Sequence, residues 1–185
     1  LEMLQRVGIE VEVSPTAIDE TPHLAERPSA CALRLASEKA AVAAALLPGR
    51  WVLAADTVVE IDGVILGKPE SAAEAGAMLR RLIGRTHRVT TAFSLRDPDG
   101  RRRDHHVTTE VDVRAAGEDE LLAYLDTGEW RGKAGAYAVQ GIAAALVTAV
   151  RGSITNVVGL PLAEVVDELR AAGAVTVDYR RGMPA

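Results

Sequence analysis

Apolar and polar positions alternate along the chain in two rhythms, one of period two and one near 3.6, and the switches between them mark the elements. Leu1, Leu4 and Val7 share a helical face and Gly8 follows as a stop, so residues 1–7 read as the end of an amphipathic helix. IEVEV (9–13) alternates strictly and predicts a strand. The polar, proline-bearing SPTAIDETPHLAERPS (14–29) is a loop. ALRLASEKAAVAAALL (32–47) predicts a helix that ends at Pro48-Gly49. WVLAADTVV (51–59) is almost continuously apolar and predicts a buried strand, and EIDGVILGK (60–68) adds a turn and a short strand.

SAAEAGAMLRRLIG (71–84) is the clearest helix, with Ser71 and Glu74 in capping-box spacing and Gly84 behind it. HRVTTAFSL (87–95) and HHVTTEVDVR (105–114) flank the polar RDPDGRRRD (96–104), the pattern of a β-hairpin. A short helix follows at EDELLAYLDTG (118–128). GIAAALVTAVRG (141–152) reads as a buried strand, although its alanines also permit helix. LPLAEVVDELRAAG (160–173) predicts a helix with Pro161 near its first turn, and AVTVDY (174–179) a closing strand. Strands and helices interleave, yet several strands are joined by hairpins. The expected class is α/β with a mixed sheet, in a single domain over 1–185 without internal repeat or linker.

Composition narrows the function. With 48% apolar and only 3% aromatic residues, the core must be Ala, Val, Leu and Ile. A net charge of −5 argues against a nucleic-acid polymer as partner, while leaving room for a small anion at a local basic site. Cys31 stands alone, so neither an intrachain disulfide nor a cysteine metal cluster can form, and a reducing cytoplasm is the natural setting. No charge-free apolar run reaches membrane-spanning length, which gives no membrane partner.

Candidate chemistry gathers at element ends. Asp56 closes the apolar run WVLAA; alone, it reads as a cap or bulge residue. Glu20 lies in the loop AIDE, Lys39 on the alanine-rich helix and Lys68 in LGKP. Two carboxylates and two lysines so placed suit a metal–phosphate site, with hard oxygens for Mg²⁺ or Mn²⁺ and ammonium groups for phosphate. Taken singly, each lysine reads as a solvated charge. TGEWRGKAGAYAVQG (127–141) is glycine-rich and offers Lys133 and backbone amides to a phosphate, or simply supplies turns of positive φ. Gln140 can donate to and accept from a base edge. Ser153 and Asn156 precede a helix and read as cap or turn residues. His105 and His106 are neighbours on a strand and point to opposite faces, so they cannot share a metal.

Six stretches in order, IDE (18–20), LASEKA (35–40), AADTVVEIDGVILGKP (54–69), AEAGAMLRRLIGRTHRVTT (73–91), YLDTGEWRGKAGAYAVQG (124–141) and GSITNVVGLPL (152–162), resemble the Maf family of nucleoside triphosphate pyrophosphatases, named for septum formation. The resemblance implies an elongated α/β fold with a long mixed sheet flanked by helices and a cleft between two lobes. It implies hydrolysis of a nucleoside triphosphate to the monophosphate and pyrophosphate with a divalent metal, commonly by a homodimer. By position, Asp56 matches the catalytic proton acceptor, and Glu20, Lys39 and Lys68 match cleft residues, with Glu20 and Asp56 as the metal-holding carboxylates. Thr57 and Gln140 match positions tied to base preference and point to dTTP and UTP, with modified pyrimidine triphosphates as further expected substrates. The alternatives are 7-methyl-GTP as substrate, or a non-catalytic nucleotide-binding regulator of division. Two departures stand out. The family's opening strand and Ser-x-x-Arg-Arg-like turn are expected ahead of Leu1, and EWRGK replaces the usual proline and aspartate of that loop.

Overall fold

The computed structural model describes residues 1–176, and its framework is a sheet built on three long strands. The order of elements is α1 (Glu2–Arg6), α2 (Pro28–Leu46), β1 (Val52–Ile61), β2 (Val64–Leu66), α3 (Ala72–Leu82), β3 (Thr86–Arg96), β4 (Arg102–Val113), α4 (Glu118–Thr127), β5 (Val147–Arg151), α5 (Ile154–Val158) and α6 (Leu162–Ala171). The strands lie in the order β2-β1-β3-β4-β5. Asp56 stands opposite Ala92, which stands opposite His106; Thr57 stands opposite Thr91, then Val107.

Alternation along these strands sorts side chains onto two faces. One face carries Ala54, Asp56 and Val58 and is covered by α2, whose buried Cys31, Ala32, Leu35, Ala36, Ala40 and Ala43 are small enough to let the helix lie close. The other face carries two separate apolar clusters. At one end Phe93 and Leu95 pack with Leu4, Ile9 and the α6 residues Val165, Val166 and Leu169. At the far end Val59, Ile61, Val89 and Val111 pack with α3, Leu121 and Tyr124 of α4, Trp130 and Tyr137. Between these clusters runs a polar seam of buried Thr91, Thr109 and Asn156. The two lobes are thus the two ends of one long sheet.

The α/β class agrees with the sequence pattern, but the expected mixed sheet is corrected: every ladder among the described residues is antiparallel. The helical connection is present, with α3 carrying the chain from β2 to a parallel β3. β1 sits between those two strands, so the parallel pair never shares a ladder.

Other differences are local. IEVEV forms no strand; Ile9 is buried, residues 10–13 are exposed, and Glu12 pairs with Arg50. Alternation supplies a two-faced ribbon, and without a ladder partner it remains extended coil. The span 141–152 divides into a 3₁₀ turn at Ile142–Ala145 and the strand β5. The hairpin loop shrinks to 97–101, because Asp97 accepts from the N–H groups of Asp99 and Arg101 and closes the turn early. The Ser71 hydroxyl caps α3 at the Glu74 N–H, but the Glu74 carboxylate answers to Glu70 rather than Ser71. Of the closing strand AVTVDY, residues 174–176 carry no ladder and 177–179 lie outside the described residues.

Candidate active site

β2 pairs with β1 only from Val59 to Ile61. Beyond Leu66 the chain leaves β1, and the Gly67 carbonyl is taken by the Gly135 N–H. The stretch of β1 before Val59 is left without a neighbour on that side among the described residues. A cleft of about 600 Å³ opens there, lined by residues that include Lys39, Asp56, Thr57, Lys68, Glu129, Lys133 and Gln140.

On the α2 side the charges form a chain. Asp56 Oδ1 accepts from Lys39 Nζ at 2.6 Å. Lys39 also meets Glu20 Oε1 at 2.6 Å, and Glu20 Oε2 accepts from Lys68 Nζ at 2.6 Å. Side-chain exposure climbs along it, from 9% at Asp56 and 17% at Lys39 to 40% at Glu20 and 54% at Lys68, so Asp56 is the dry end. Burial pushes the Asp56 carboxyl above its ordinary pKa, against the pull of Lys39. Burial also weakens the Lys39 ammonium, but its bonds to Asp56 and Glu20 outweigh that and hold it above the usual lysine value. Hydrogen bonds from Lys39 and then Lys68 depress Glu20. The proton thus stays on Lys39, while Asp56 accepts one more readily than a free aspartate would.

Thr57 takes the opposite face. Its Oγ1 lies 2.8 Å from Thr91 Oγ1, and Thr91 in turn meets Asn156 of α5. Ser153 caps α5, as the sequence suggests, by accepting from the Asn156 N–H. Asn156 does far more than turn the chain: it is fully buried and its amide holds β3 and β4 together.

The wall bearing Lys133 and Gln140 is braced by residues that motif reading does not single out. Glu129 accepts from the N–H groups of Ile142 and Ala143 at 2.7 and 3.1 Å, which pins the chain directly after Gln140 and Gly141. Burial opposes its charge, yet those two bonds keep its carboxyl below the ordinary range. A Cβ at Gly141 would collide with the Glu129 carboxylate, so any larger residue there would push that carboxylate out of its bonds. The Tyr124 hydroxyl lies 3.1 Å from Glu129 Oε1 and 3.3 Å from the Ala136 carbonyl, tying both ends of the loop. Ala136 itself is left-handed, with φ of 67°, a strained value for a residue with a side chain. The signal that exposes Glu129 is chemical: a lone acid in a loop rich in glycine and backbone donors.

The donor set fits a divalent metal in part. Glu20 and Asp56 offer hard oxygens, but both oxygens of Glu20 and one of Asp56 face ammonium groups. Among the described residues no three His, Cys, Asp or Glu side chains gather as a metal group. These carboxylates suit a metal only when a phosphate ligand brings further oxygens and draws the lysines to itself.

Comparison with known proteins places this geometry in context. The family model described as Maf-like protein matches residues 1–172. A dTTP/UTP pyrophosphatase of Syntrophus aciditrophicus (strain SB) is 48% identical over 176 residues, covering 95% of this chain and 86% of its own. Proteins described in the same words from Myxococcus xanthus (strain DK1622) and Caulobacter vibrioides (strain ATCC 19089 / CIP 103742 / CB 15) are 50% and 46% identical. They cover 93% and 94% of this chain, and 87% and 90% of their own.

Proposed function

This chain belongs to the family of Maf-like proteins, and on that premise we propose that it hydrolyses nucleoside triphosphates, dTTP and UTP foremost, to the monophosphate and pyrophosphate. One observation carries the reading: a half-buried, proton-hungry Asp56 shares a single cleft with Lys39 and Lys68 on its charged side, with Lys133 on the facing wall, and with Thr57 and Gln140 as neutral hydrogen-bonding groups.

Water is a poor nucleophile at neutral pH. Asp56 takes a proton from the attacking water as oxygen bonds to the α-phosphorus, and a general base so placed contributes about 10²–10⁴-fold. The bond from the α-phosphorus to the bridging oxygen breaks, and pyrophosphate leaves with that electron pair. Lys39 and Lys68, which donate to Asp56 and Glu20, turn to the phosphate oxygens and offset the charge developing there. Lys133 faces the same anion from the opposite wall. Mg²⁺ or Mn²⁺ enters the proposal with the triphosphate: Glu20 and Asp56 would supply carboxylate oxygens, and the ion would neutralise phosphate charge. Thr57 and Gln140 meet the pyrimidine edge, where an unpaired buried polar group penalises a wrong base. No described helix is long and apolar enough to cross a membrane. The resemblance adds cytoplasmic action and a homodimer to the proposal.

The test is pyrophosphate release by the full-length protein with Mg²⁺ or Mn²⁺ over a panel of UTP, dTTP, CTP, GTP and 7-methyl-GTP. UTP and dTTP are expected to turn over fastest. A protein inert to all of them would leave a nucleotide-binding regulator in its place, and faster turnover of 7-methyl-GTP would overturn the pyrimidine assignment.

A further inference from the structure

The seam between the two lobes contains a hydrogen-bond network in which almost every proton can be placed from chemistry alone. The Asn156 amide is oriented without ambiguity. Its Oδ1 accepts from the Thr91 N–H at 3.0 Å, and its Nδ2 donates to the Val89 carbonyl at 2.9 Å; a flipped amide would set donor against donor and acceptor against acceptor. Nδ2 also donates to Thr109 Oγ1, which accepts from the Ser153 N–H and spends its own proton on the Ser153 carbonyl.

The same accounting reaches the cleft. Thr91 Oγ1 lies 2.8 Å from the Asn156 backbone carbonyl, which can only accept, so Thr91 spends its single proton there. Thr91 Oγ1 also lies 2.8 Å from Thr57 Oγ1. One of those two oxygens must donate, and Thr91 has nothing left. Thr57 therefore donates inward, toward the protein. Thr91 and Asn156 are both fully buried, so water cannot substitute for either partner. What Thr57 presents to the cleft is a pair of acceptor lone pairs.

We propose that Thr91 and Asn156 are positioning residues that fix Thr57 as a hydrogen-bond acceptor, so that the cleft selects pyrimidines bearing N–H at ring position 3, uracil and thymine, over cytosine. The inference rests on the reading that a pyrimidine triphosphate occupies this cleft. Uracil and thymine carry a donor at position 3, whereas cytosine carries a bare acceptor nitrogen there. A threonine with a free rotor would accommodate either by turning its hydroxyl. A threonine whose proton is held from behind cannot do so without breaking a buried bond, and the base that demands that break is disfavoured.

The experiment measures kcat/KM for UTP and CTP in the wild type, Thr91→Val and Thr91→Ser. Wild type is expected to favour UTP over CTP by about 10–100-fold, the span of one hydrogen bond mismatched in a buried site. Thr91→Val removes the acceptor for the Thr57 proton, frees the hydroxyl to turn, and lowers the UTP:CTP ratio by about tenfold. Thr91→Ser restores the relay and the ratio. A merely structural role for Thr91 would scale both substrates together, and that outcome overturns the proposal. If Thr91→Val does not fold, the wild type still decides: UTP methylated at N3 should lose at least about tenfold in kcat/KM, and turnover equal to that of UTP would sink the idea. A wild type inert to every triphosphate defeats the functional reading and this inference with it, whereas an active wild type with an unmoved ratio defeats the inference alone.

Discussion

Asp56 and Thr57 are neighbours on one strand, yet they enter regions built on opposite principles. Asp56 joins a chain of four charges that sums to zero and grows wetter toward Lys68. Every bond in it can be exchanged, because a lysine released by a carboxylate finds an equal partner in a phosphate. Thr57 joins a neutral network in which each polar atom has a dedicated partner and Thr91, Thr109 and Asn156 are shut off from solvent. Its bonds cannot be exchanged without leaving a buried group unpaired. The charged region is thus suited to a partner that arrives and leaves, and the neutral one to holding a shape that discriminates.

The sharpest way to break this contrast is to disable the charged region without disturbing the fold. Asp56→Asn keeps the size and accepts the Lys39 bond, but takes no proton. Pyrophosphate release should fall by about 10²–10⁴-fold while urea unfolding changes little. The base acts when deprotonated, so wild-type kcat/KM should decline as pH drops through a value above the ordinary aspartate 3.8, because burial raises the Asp56 pKa. An acid limb at or below that ordinary value, or an Asn variant with normal rate, would remove Asp56 from the role.

The neutral region should answer the other way, in stability. Asn156→Ala leaves the Thr91 N–H, the Val89 carbonyl and Thr109 without the partner they share. At about 1–3 kcal/mol for each buried group left unpaired, the loss should reach about 3 kcal/mol or more in urea unfolding. Lys68→Ala, cut from the exposed end of the charge chain, should cost less than about 1 kcal/mol. Equal losses from the two variants would erase the distinction.

These two regions also differ in how much of them can be read from residues alone. Charges stand out in an apolar setting: Asp56 ends an apolar run, Lys39 interrupts an alanine-rich helix, and the structure brings both together with Glu20 and Lys68. The relay hides in ordinary tokens. Threonines in VTT read as strand formers, and Asn156 before a helix reads as a turn residue, since local propensity explains each one. Their joint role depends on the register that puts Thr57 beside Thr91 and on α5 folding back 65 residues later. The sheet fails for a related reason. Interleaved helices do signal parallel strands, and β2 and β3 are parallel, but nothing local tells that β1 slides between them. IEVEV fails because alternation describes a ribbon with two faces and says nothing of a partner to bond.

A smaller effect is expected where the two regions meet. Glu129 is charged, yet it is used in the neutral manner, with its oxygens committed to the Ile142 and Ala143 N–H groups. Glu129→Gln puts an NH₂ against one of those donors. The loop that carries Gln140 should loosen, with KM for UTP rising about tenfold and kcat nearly unchanged, about 1–2 kcal/mol of binding. A fall in kcat at unchanged KM would instead place Glu129 in the chemistry.

The smallest effect probes the dryness of the discriminating half directly. His87 is buried, its Nε2 lies 2.7 Å from the Tyr137 hydroxyl, and Tyr137 lines the cleft. Burial lowers the His87 pKa from 6.5 to about 4, so the folded protein keeps a neutral ring where the unfolded chain binds a proton. Between those values the unfolded state holds more protons, so stability is full above pH 6.5 and drains as pH falls toward 4. From pH 7 to 5.5 this amounts to about 1 kcal/mol. Urea midpoints at the two pH values should show that loss in the wild type and not in His87→Phe, which keeps the volume and never titrates. The window lies above the one in which Glu26, lowered from 4.5 to about 2 by its bond with Arg34, loses its own contribution, and the difference between wild type and His87→Phe isolates the histidine. If His87→Phe keeps the same slope, the ring is wet enough to charge in the folded state. The wall behind Tyr137 would then be no drier than the lysine chain facing it, and the division between an exchangeable half and a fixed half would fail at a buried ring.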